Sequence, residues 1–464
     1  MPYDFDLVCI GSGPAGQRGA VQAAKLGKRV AVIEKRRTVG GVCLDTGTIP
    51  SKTLREAVLF FSGLYGRLDR RREVRGDSRP TAEQLLARVE EVVAREAAVV
   101  DDQLRRNDVT VIHGEAAFRD PHTLVVEAEG GWRVVTTAHI LVAVGTAPAP
   151  PPGVPADEDV ILTTDGLLRL TRIPRTMAVV GGGVIGIEYA SMFSALGVVV
   201  TLIERRPRPL EFLDHEILDE LVHQMRTRKV LFRFGEAVER LDIAEGAPRR
   251  AVVFLESGKQ ILSDMVLFSV GRLGATERLN LQAAGLTADS RGRLEVDQQF
   301  RTRVPHILAA GDVIGYPSLA ATSAEQGRLA ACGLFGVEAE PMVSHFPVGI
   351  YAVPEISMVG ATEHELTERK MPYESGLARY REIARGQILG DDTGLLKMLF
   401  HREDRRLLGV HAIGTGATEL IHIGQAVLAL GGGLDYFLKT VFNYPTLAEC
   451  YKVAALDAAN KLAR

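Results

Sequence analysis

The sequence predicts an α/β protein with two Rossmann-like dinucleotide-binding domains followed by a C-terminal α+β domain. Three observations lead there. Two glycine fingerprints each sit between a buried strand and a helix, with an acid closing the next strand. After about Met342 the pattern changes to the strand-like runs LLKMLFH and LLGVHAIG and a helix near Ile421 to Leu430. At 464 residues the chain is too long for one core, and ordinary domain sizes suggest three or so.

The opening stretch, DFDLVCIGSGPAGQRGAVQAAKLGKRVAVIEK, reads as strand, glycine turn, helix, strand. Gly11, Gly13 and Gly16 form G-x-G-x-x-G, and Glu34 ends the second strand. Glycines in that pattern let backbone amides approach a pyrophosphate at a helix N-terminus, while the acid accepts hydrogen bonds from a ribose. A bare fingerprint is weak; the strand before it and the acid after it make this one specific. A second copy, TMAVVGGGVIGIEYASMFSALGVVVTLIE, carries Gly181, Gly183, Gly186 and Glu204. Two such units imply two dinucleotides, one held as a flavin and one nicotinamide nucleotide that exchanges.

The run ERRPR at the end of the second unit bears on which nicotinamide nucleotide binds. Glu204 suits the free 2'-hydroxyl of NAD, whereas Arg205, Arg206 and Arg208 can pair with the 2'-phosphate of NADP. A carboxylate about 4 Å from a phosphate costs on the order of 4 kcal/mol at an effective dielectric of 20. Binding NADP therefore requires Glu204 to turn away or an arginine to offset it. The plainer alternative is that these arginines are solvated at a strand end.

Composition excludes several classes. Hydrophobic content of 46%, charge content of 24% and a net charge of -3 are those of a globular protein with no pull toward nucleic acid or anionic membrane. The basic run from Arg67 to Arg75 reads as a solvated loop and helix face. Cys9, Cys43, Cys332 and Cys450 are scattered, which suggests neither a disulfide framework nor a metal site. Tyr3 to Ile10 run directly into the first fingerprint, leaving no room for a cleavable leader, and the apolar stretch Met177 to Leu202 is interrupted by glycines and Glu188. A cytoplasmic protein without a membrane span is expected.

The segment GGVCLDTGTIPSK, Gly40 to Lys52, resembles the active-site motif of the flavoprotein disulfide reductases, GG-x-C-x4-C-x-PSK. Cys43 matches the first cysteine, but Thr48 stands at the second, so no disulfide can close there. Near the other end the family has a His-Pro segment whose His, with a following Glu, handles protons for the dithiol. This chain reads NYPTLAE, with Tyr444 in place of the His, while Pro445 and Glu449 fit. Histidine titrates near neutrality and tyrosine about three pH units higher, so losing the cysteine and the histidine together points to a changed reaction rather than a damaged one. The alternative is a degenerate paralogue kept for binding or structure.

The resemblance spans essentially the whole chain and implies an arrangement. Residues 1–150, completed by 275–341, would bind FAD; the segment Thr302 to Asp312, TRVPHILAAGD, resembles the family's late FAD motif, in which Asp312 holds the ribityl chain. Residues 151–274 would bind NAD(P), flanked by the crossover segments ending at Gly145 and Gly271. Residues 342–464 would form an interface domain that makes a homodimer or larger homo-oligomer and presents Tyr444 and Glu449 to the partner. Lys52 would lie against flavin N5, paired with Glu188, stabilising the reduced ring by its charge. Cys43 is then either a flavin contact or a thiolate that tunes the ring; Tyr444 either packs or donates a proton; Glu449 anchors local structure.

Within that family the chain is similar to the soluble, Si-specific pyridine nucleotide transhydrogenases. It shares with them GTIPSK, NYPT, GDVIGYPSLAATSAEQGR and FPVGIYAVPEIS. That likeness implies ping-pong hydride transfer from NADPH through FAD to NAD+. Two rivals stay open: an NAD(P)H:quinone or small-acceptor reductase, and a flavin-binding redox sensor without turnover.

Overall fold

Short apolar runs such as LVCI and VAVI, each stopped by glycine or charged residues, supply the central strands. The computed structural model describes residues 3–63, 80–153, 156–246, 248–343 and 345–463. The Arg67–Arg75 run lies outside the described residues. The chain divides into two compact units, one comprising 1–54, 86–149 and 271–342, the other 55–85, 150–270 and 343–464.

In the first unit, strands Phe5–Ile10, Val30–Glu34, Thr110–His113 and Ile307–Ala309 run parallel around the long strand Gly131–Val142. Glu115–Asp120 and Thr123–Ala128 extend the sheet antiparallel. Strands buried on both faces are near-continuous apolar runs, as a parallel sheet demands. The register aligns Ile10 with Ile33 and Val142, so three strand ends meet at the first glycine turn. Nucleotides bind in such crevices at the carboxyl ends of parallel strands. The two short strands after Gly145 and Gly271, Thr146–Pro148 and Arg272–Gly274, pair antiparallel with each other. Arg272 fastens the pair, donating from Nε to Thr146 Oγ1 and from Nη2 to the Thr146 carbonyl, both at 2.9 Å.

The second unit contains a parallel sheet in the order Leu231–Phe234, Val199–Glu204, Thr176–Val180, Met265–Phe268, Ile161–Thr163. It also contains an antiparallel five-stranded sheet: Val348–Ile350, Ile356–Gly360, Leu407–Ile413, Leu395–His401, Tyr373–Arg379. The runs LLKMLFH and LLGVHAI are thus neighbouring strands, and the helix expected near Ile421 is Ala417–Ala429. Helices Ala417–Ala429 and Glu449–Leu462 cover that sheet over a core containing Tyr380, Phe400, Phe437 and Tyr451. Buried Tyr451 is satisfied by donating to Leu420 O at 2.8 Å and accepting from Gly424 N–H at 3.0 Å.

Within this unit Asp214, the N-cap of helix His215–Thr227, binds the ammonium of the fully buried Lys397 at 2.8 Å. Glu363 and Glu216 reach the same ammonium at 2.6 and 3.2 Å. Among the described residues, Asp214, Glu216 and Glu363 are the one acidic trio with metal-ligand spacing, and Lys397 already supplies its cation. No described helix is long and apolar enough to cross a membrane.

Candidate functional site

The two glycine turns are built alike. Gly11 and Gly181 have φ of 102° and 104°, which a side chain rarely adopts, and a Cβ at Gly16 or Gly186 would stand 1.9 Å from the carbonyl oxygen of Gly11 or Gly181. These glycines let strand and helix touch. Gly13 and Gly183 differ: each is the N-cap of its helix, Pro14–Lys25 or Val184–Ala195, with no side-chain cap, and a Cβ there would meet nothing within 4 Å. Open space therefore lies before two helix N-termini whose first N–H groups lack side-chain caps, where a pyrophosphate is favoured by the amides and the helix dipole. The residues present fit a dinucleotide in both units.

The acids that end the second strands are held differently. Glu34 accepts from Ser12 N–H at 3.0 Å, from the Ser12 hydroxyl, and from Arg36 N–H at 2.9 Å. Ser12 Oγ in turn accepts from Gly40 N–H at 2.8 Å, tying the glycine turn to the Cys43 segment. Glu204 accepts from Gly182 N–H at 2.6 Å and Arg206 N–H at 2.9 Å, and then receives the Arg206 guanidinium, Nε at 2.9 Å and Nη2 at 3.1 Å. Burial works to raise the Glu204 pKa, but the Arg206 side chain, Arg206 N–H and Gly182 N–H reverse this and hold it below the usual range. Of the other two arginines, Arg208 pairs with Asp219 at 3.2 Å, and Arg205 is exposed.

Around the PSK motif, Cys43 lies on the short helix Gly41–Asp45, while Thr48 and Lys52 lie on the helix Thr48–Phe61. Cys43 is a free thiol. Burial pushes that thiol up; the nearby Thr48 hydroxyl and the Lys52 charge oppose the rise, and Asp312 and Glu96 add to it. Asp312, opening a 3-10 turn after Gly311, is likewise raised by burial, against Arg272 and a 3.4 Å bond from Ser323 Oγ. The first unit thus brings Cys43, Thr48, Lys52, Asp312 and Arg272 into one electrostatic neighbourhood. Gly145, with φ of 64°, has open space where a Cβ would stand, while Gly271, at 129°, faces Arg291 Nη2 at 3.3 Å.

In the second unit Glu188 is buried in the middle of helix Val184–Ala195, and its carboxylate accepts from Tyr351 N–H at 2.8 Å. Tyr444 is 69% exposed. Glu449 begins the last helix, and its Oε2 is buried with no hydrogen-bond partner.

Sequence reasoning did not reach Ser12, Arg272, the Arg206 clamp or Tyr351. Ser12 was visible as the polar residue inside the first fingerprint where the second has Gly182. Tyr351 acts through its backbone, and no residue type signals that.

Comparison with known proteins agrees with this construction. Residues 5–327 match the family model described as pyridine nucleotide-disulphide oxidoreductase, and residues 346–455 match its dimerisation domain. The chain is 52% identical over 461 residues to a soluble pyridine nucleotide transhydrogenase of Mycobacterium bovis, covering 99% of this chain and 98% of that one. It is 43% identical over 466 residues to a protein of the same name from Photobacterium profundum, with the same coverage. Among solved structures it resembles the HOCl-induced flavoprotein disulfide reductase RclA from Escherichia coli, with a TM-score of 0.87 and 27% identity over 97% of this chain and 99% of that one. LpdA from Mycobacterium tuberculosis gives a TM-score of 0.88 at 26% identity, over 97% and 99% of the two chains. The chain is an enzyme of the pyridine nucleotide-disulphide oxidoreductase family.

Proposed function

We propose that this enzyme is an NAD(P)+ transhydrogenase: it holds FAD and moves hydride from NADPH to NAD+ without a redox disulfide. FAD, when bound, would supply the two-electron carrier for a ping-pong cycle between the two nicotinamide nucleotides. The balance is simple: hydride leaves C4 of NADPH and ends on C4 of NAD+, yielding NADP+ and NADH with no net proton. The observation that carries this reading is the full-length likeness to relatives named soluble pyridine nucleotide transhydrogenase. Cys43, a free thiol with Thr48 at the second cysteine position, supports it from the structure side.

In this reading residues 1–150 with 275–341 hold FAD through Gly11, Gly13, Gly16, Glu34, Gly145 and Asp312. Residues 151–274 hold the nicotinamide nucleotide through Gly181, Gly183, Gly186, Glu204, Arg205, Arg206 and Gly271. Lys52, with Glu188 as its partner, would supply a fixed positive charge that favours negative charge on the flavin when it is bound. Residues 342–464 form the dimer interface, and Tyr444 and Glu449 serve the partner subunit. Their exposure and buried unpaired oxygen, respectively, are consistent with a surface completed by a second copy. The enzyme works in the cytoplasm.

An anaerobic assay of FAD-loaded protein with NADPH and a thio-analogue of NAD+, beside a quinone control, tests the proposal. Rapid transfer to the analogue that is lost in Lys52→Met supports it. Flavin bleaching discharged only by quinone identifies a quinone reductase instead, and absence of bleaching identifies a binding protein.

A further inference from the structure

The five residues joining strands Val348–Ile350 and Ile356–Gly360 carry no side chain assigned to the reaction, yet polar groups from three helices converge on their backbone. Tyr351 N–H donates to Glu188 Oε1 at 2.8 Å, and Val353 N–H donates to Ser191 Oγ at 3.0 Å. Glu188 and Ser191 are three apart on one helix and therefore on one face, and that face takes the amides of both Tyr351 and Val353. Two bonds from one helix face hold the segment against it. Ser191 Oγ also donates to Glu188 O at 2.7 Å, which fixes its hydroxyl as the acceptor for Val353.

The residue between them, Ala352, offers its carbonyl to Arg55 Nε at 2.9 Å. Arg55 is buried on the helix Thr48–Phe61, one turn beyond Lys52, and its Nη2 reaches buried Glu355 at 3.4 Å. Glu355 is the last residue of the same connection, and its own carbonyl accepts from Gly414 N–H at 2.9 Å in the antiparallel sheet. Arg228, at the end of helix His215–Thr227, adds a bond to the Val353 carbonyl.

We infer that the Tyr351–Glu355 connection is a positioning rack: it fixes the rotation of Glu188 and the axial register of the helix that carries Lys52, with Arg55 and Ser191 as its positioning residues. A half-buried lysine on a helix is placed only as well as the helix is placed, and a shift of about 1 Å in such a group can cost about 100-fold in rate. The inference rests on the reading of Lys52 and Glu188 as the pair beside the flavin.

The test compares Arg55→Lys, Arg55→Met, Ser191→Ala, Lys52→Met and Glu188→Gln in the FAD-loaded enzyme. Flavin bleaching by NADPH is followed by stopped flow, and exchange of the Tyr351 and Val353 amides is followed by hydrogen–deuterium exchange in both loaded and FAD-free protein. Arg55→Met is expected to slow bleaching at saturating NADPH by about 10- to 100-fold with KM moved less than about 3-fold. Arg55→Lys is expected to recover most of that loss, and both Arg55→Met and Ser191→Ala are expected to speed exchange at the two amides by at least about 10-fold. Ser191→Ala, which deletes one hydroxyl, guards against an Arg55 variant that does not fold. Wild-type bleaching in Arg55→Met and Ser191→Ala, alongside slow bleaching in Lys52→Met and Glu188→Gln, would overturn the rack and leave the Lys52–Glu188 reading standing. Wild-type bleaching in Lys52→Met and Glu188→Gln would remove that reading and the rack with it.

Discussion

Arg206 closes on Glu204 from two directions, its backbone N–H and its guanidinium both bonded to the carboxylate that ends strand Val199–Glu204. In the first unit only the backbone half has a counterpart, Arg36 N–H to Glu34; the Arg36 guanidinium goes to Asp45, and the Ser12 hydroxyl completes the carboxylate's bonds. A side chain that satisfies a carboxylate can also turn to a phosphate, so on the proposed assignment this pair would let one acid serve a ribose with or without a 2'-phosphate.

Replacing Arg206 by Gln is therefore expected to separate the two substrates. KM for NADPH should rise about 10- to 100-fold, the scale of one charge-assisted contact, while KM for NAD+ stays within about 3-fold. Steady-state kinetics with each nucleotide at several salt concentrations decide it. A parallel rise for both nucleotides would place Arg206 in Glu204 support alone.

Gly13 and Gly16 are expected to respond oppositely to alanine. Gly13→Ala meets open space, so the protein should fold with near-native thermal stability but retain FAD poorly, because the methyl enters the volume assigned to the pyrophosphate. Gly16→Ala drives a methyl to 1.9 Å from Gly11 O and should lower the melting temperature whether or not FAD is present. Flavin content per chain and thermal melts distinguish the two outcomes. Gly183→Ala and Gly186→Ala should repeat the contrast for nicotinamide nucleotide affinity.

Cys43 should be a poor nucleophile. Burial raises its thiol above the ordinary value of 9.0, more than Thr48 and Lys52 lower it, so little thiolate exists at pH 8. Alkylation by iodoacetamide, followed by mass spectrometry, is expected to be at least about 10-fold slower than for a free cysteine. Thr48→Val removes the hydroxyl donor and should slow alkylation further while leaving hydride transfer within about 3-fold. Fast labelling at neutral pH would mark Cys43 as an activated thiolate.

Stability should decline on mild acidification. Burial lowers the pKa of His411 below 6.5, and burial with the nearby His306 and His122 does the same for His139. As pH falls below 6.5 the unfolded chain takes up protons that the folded chain refuses, so each such histidine costs about 1.4 kcal/mol per pH unit until its folded pKa is reached. His411 bonds Ala361 O through Nε2 at 2.9 Å, and its Nδ1 is buried without a partner, so His411→Gln keeps the useful donor and should flatten the decline in melting temperature between pH 6.5 and 5. Loss at higher acidity has another source. Asp214 is raised by burial but brought below 3.8 by His411 and Lys397, so its contribution is present above that value and disappears as pH falls through the depressed pKa. Lys397→Met leaves Asp214 charged and buried without its main partner and is expected to cost about 3–5 kcal/mol.

The glycine turns and their acids were legible because backbone geometry there admits few residues: a methyl at Gly16 has nowhere to go, and a strand ending in an acid after such a turn has few other uses. The strands LLKMLFH and LLGVHAIG were legible by their apolar runs. What could not be read was set by side-chain and backbone partners that only folding selects. Lys397 looks like an ordinary charge within an apolar strand, and only folding brings Asp214 and Glu363 to it. Arg206 reads as one of three arginines that can meet a 2'-phosphate or solvent, and nothing in the sequence singles it out as the one that Glu204 captures. The Tyr351 and Val353 amides have no signature, since every residue but proline carries one.

The pairing of Thr146–Pro148 with Arg272–Gly274 means that the chain leaves the first unit and returns to it through two strands lying side by side. For the sheet they flank, everything from 150 to 270 is topologically a hairpin loop, which a turn of about two to five residues could replace. Closing a longer loop costs only slowly more entropy, so the inserted piece can lengthen, shorten or be exchanged entire with little penalty to its host. On the proposed assignment nucleotide preference would thereby be carried on a cassette, which a lineage could trade for another while the flavin-binding part stays as it was.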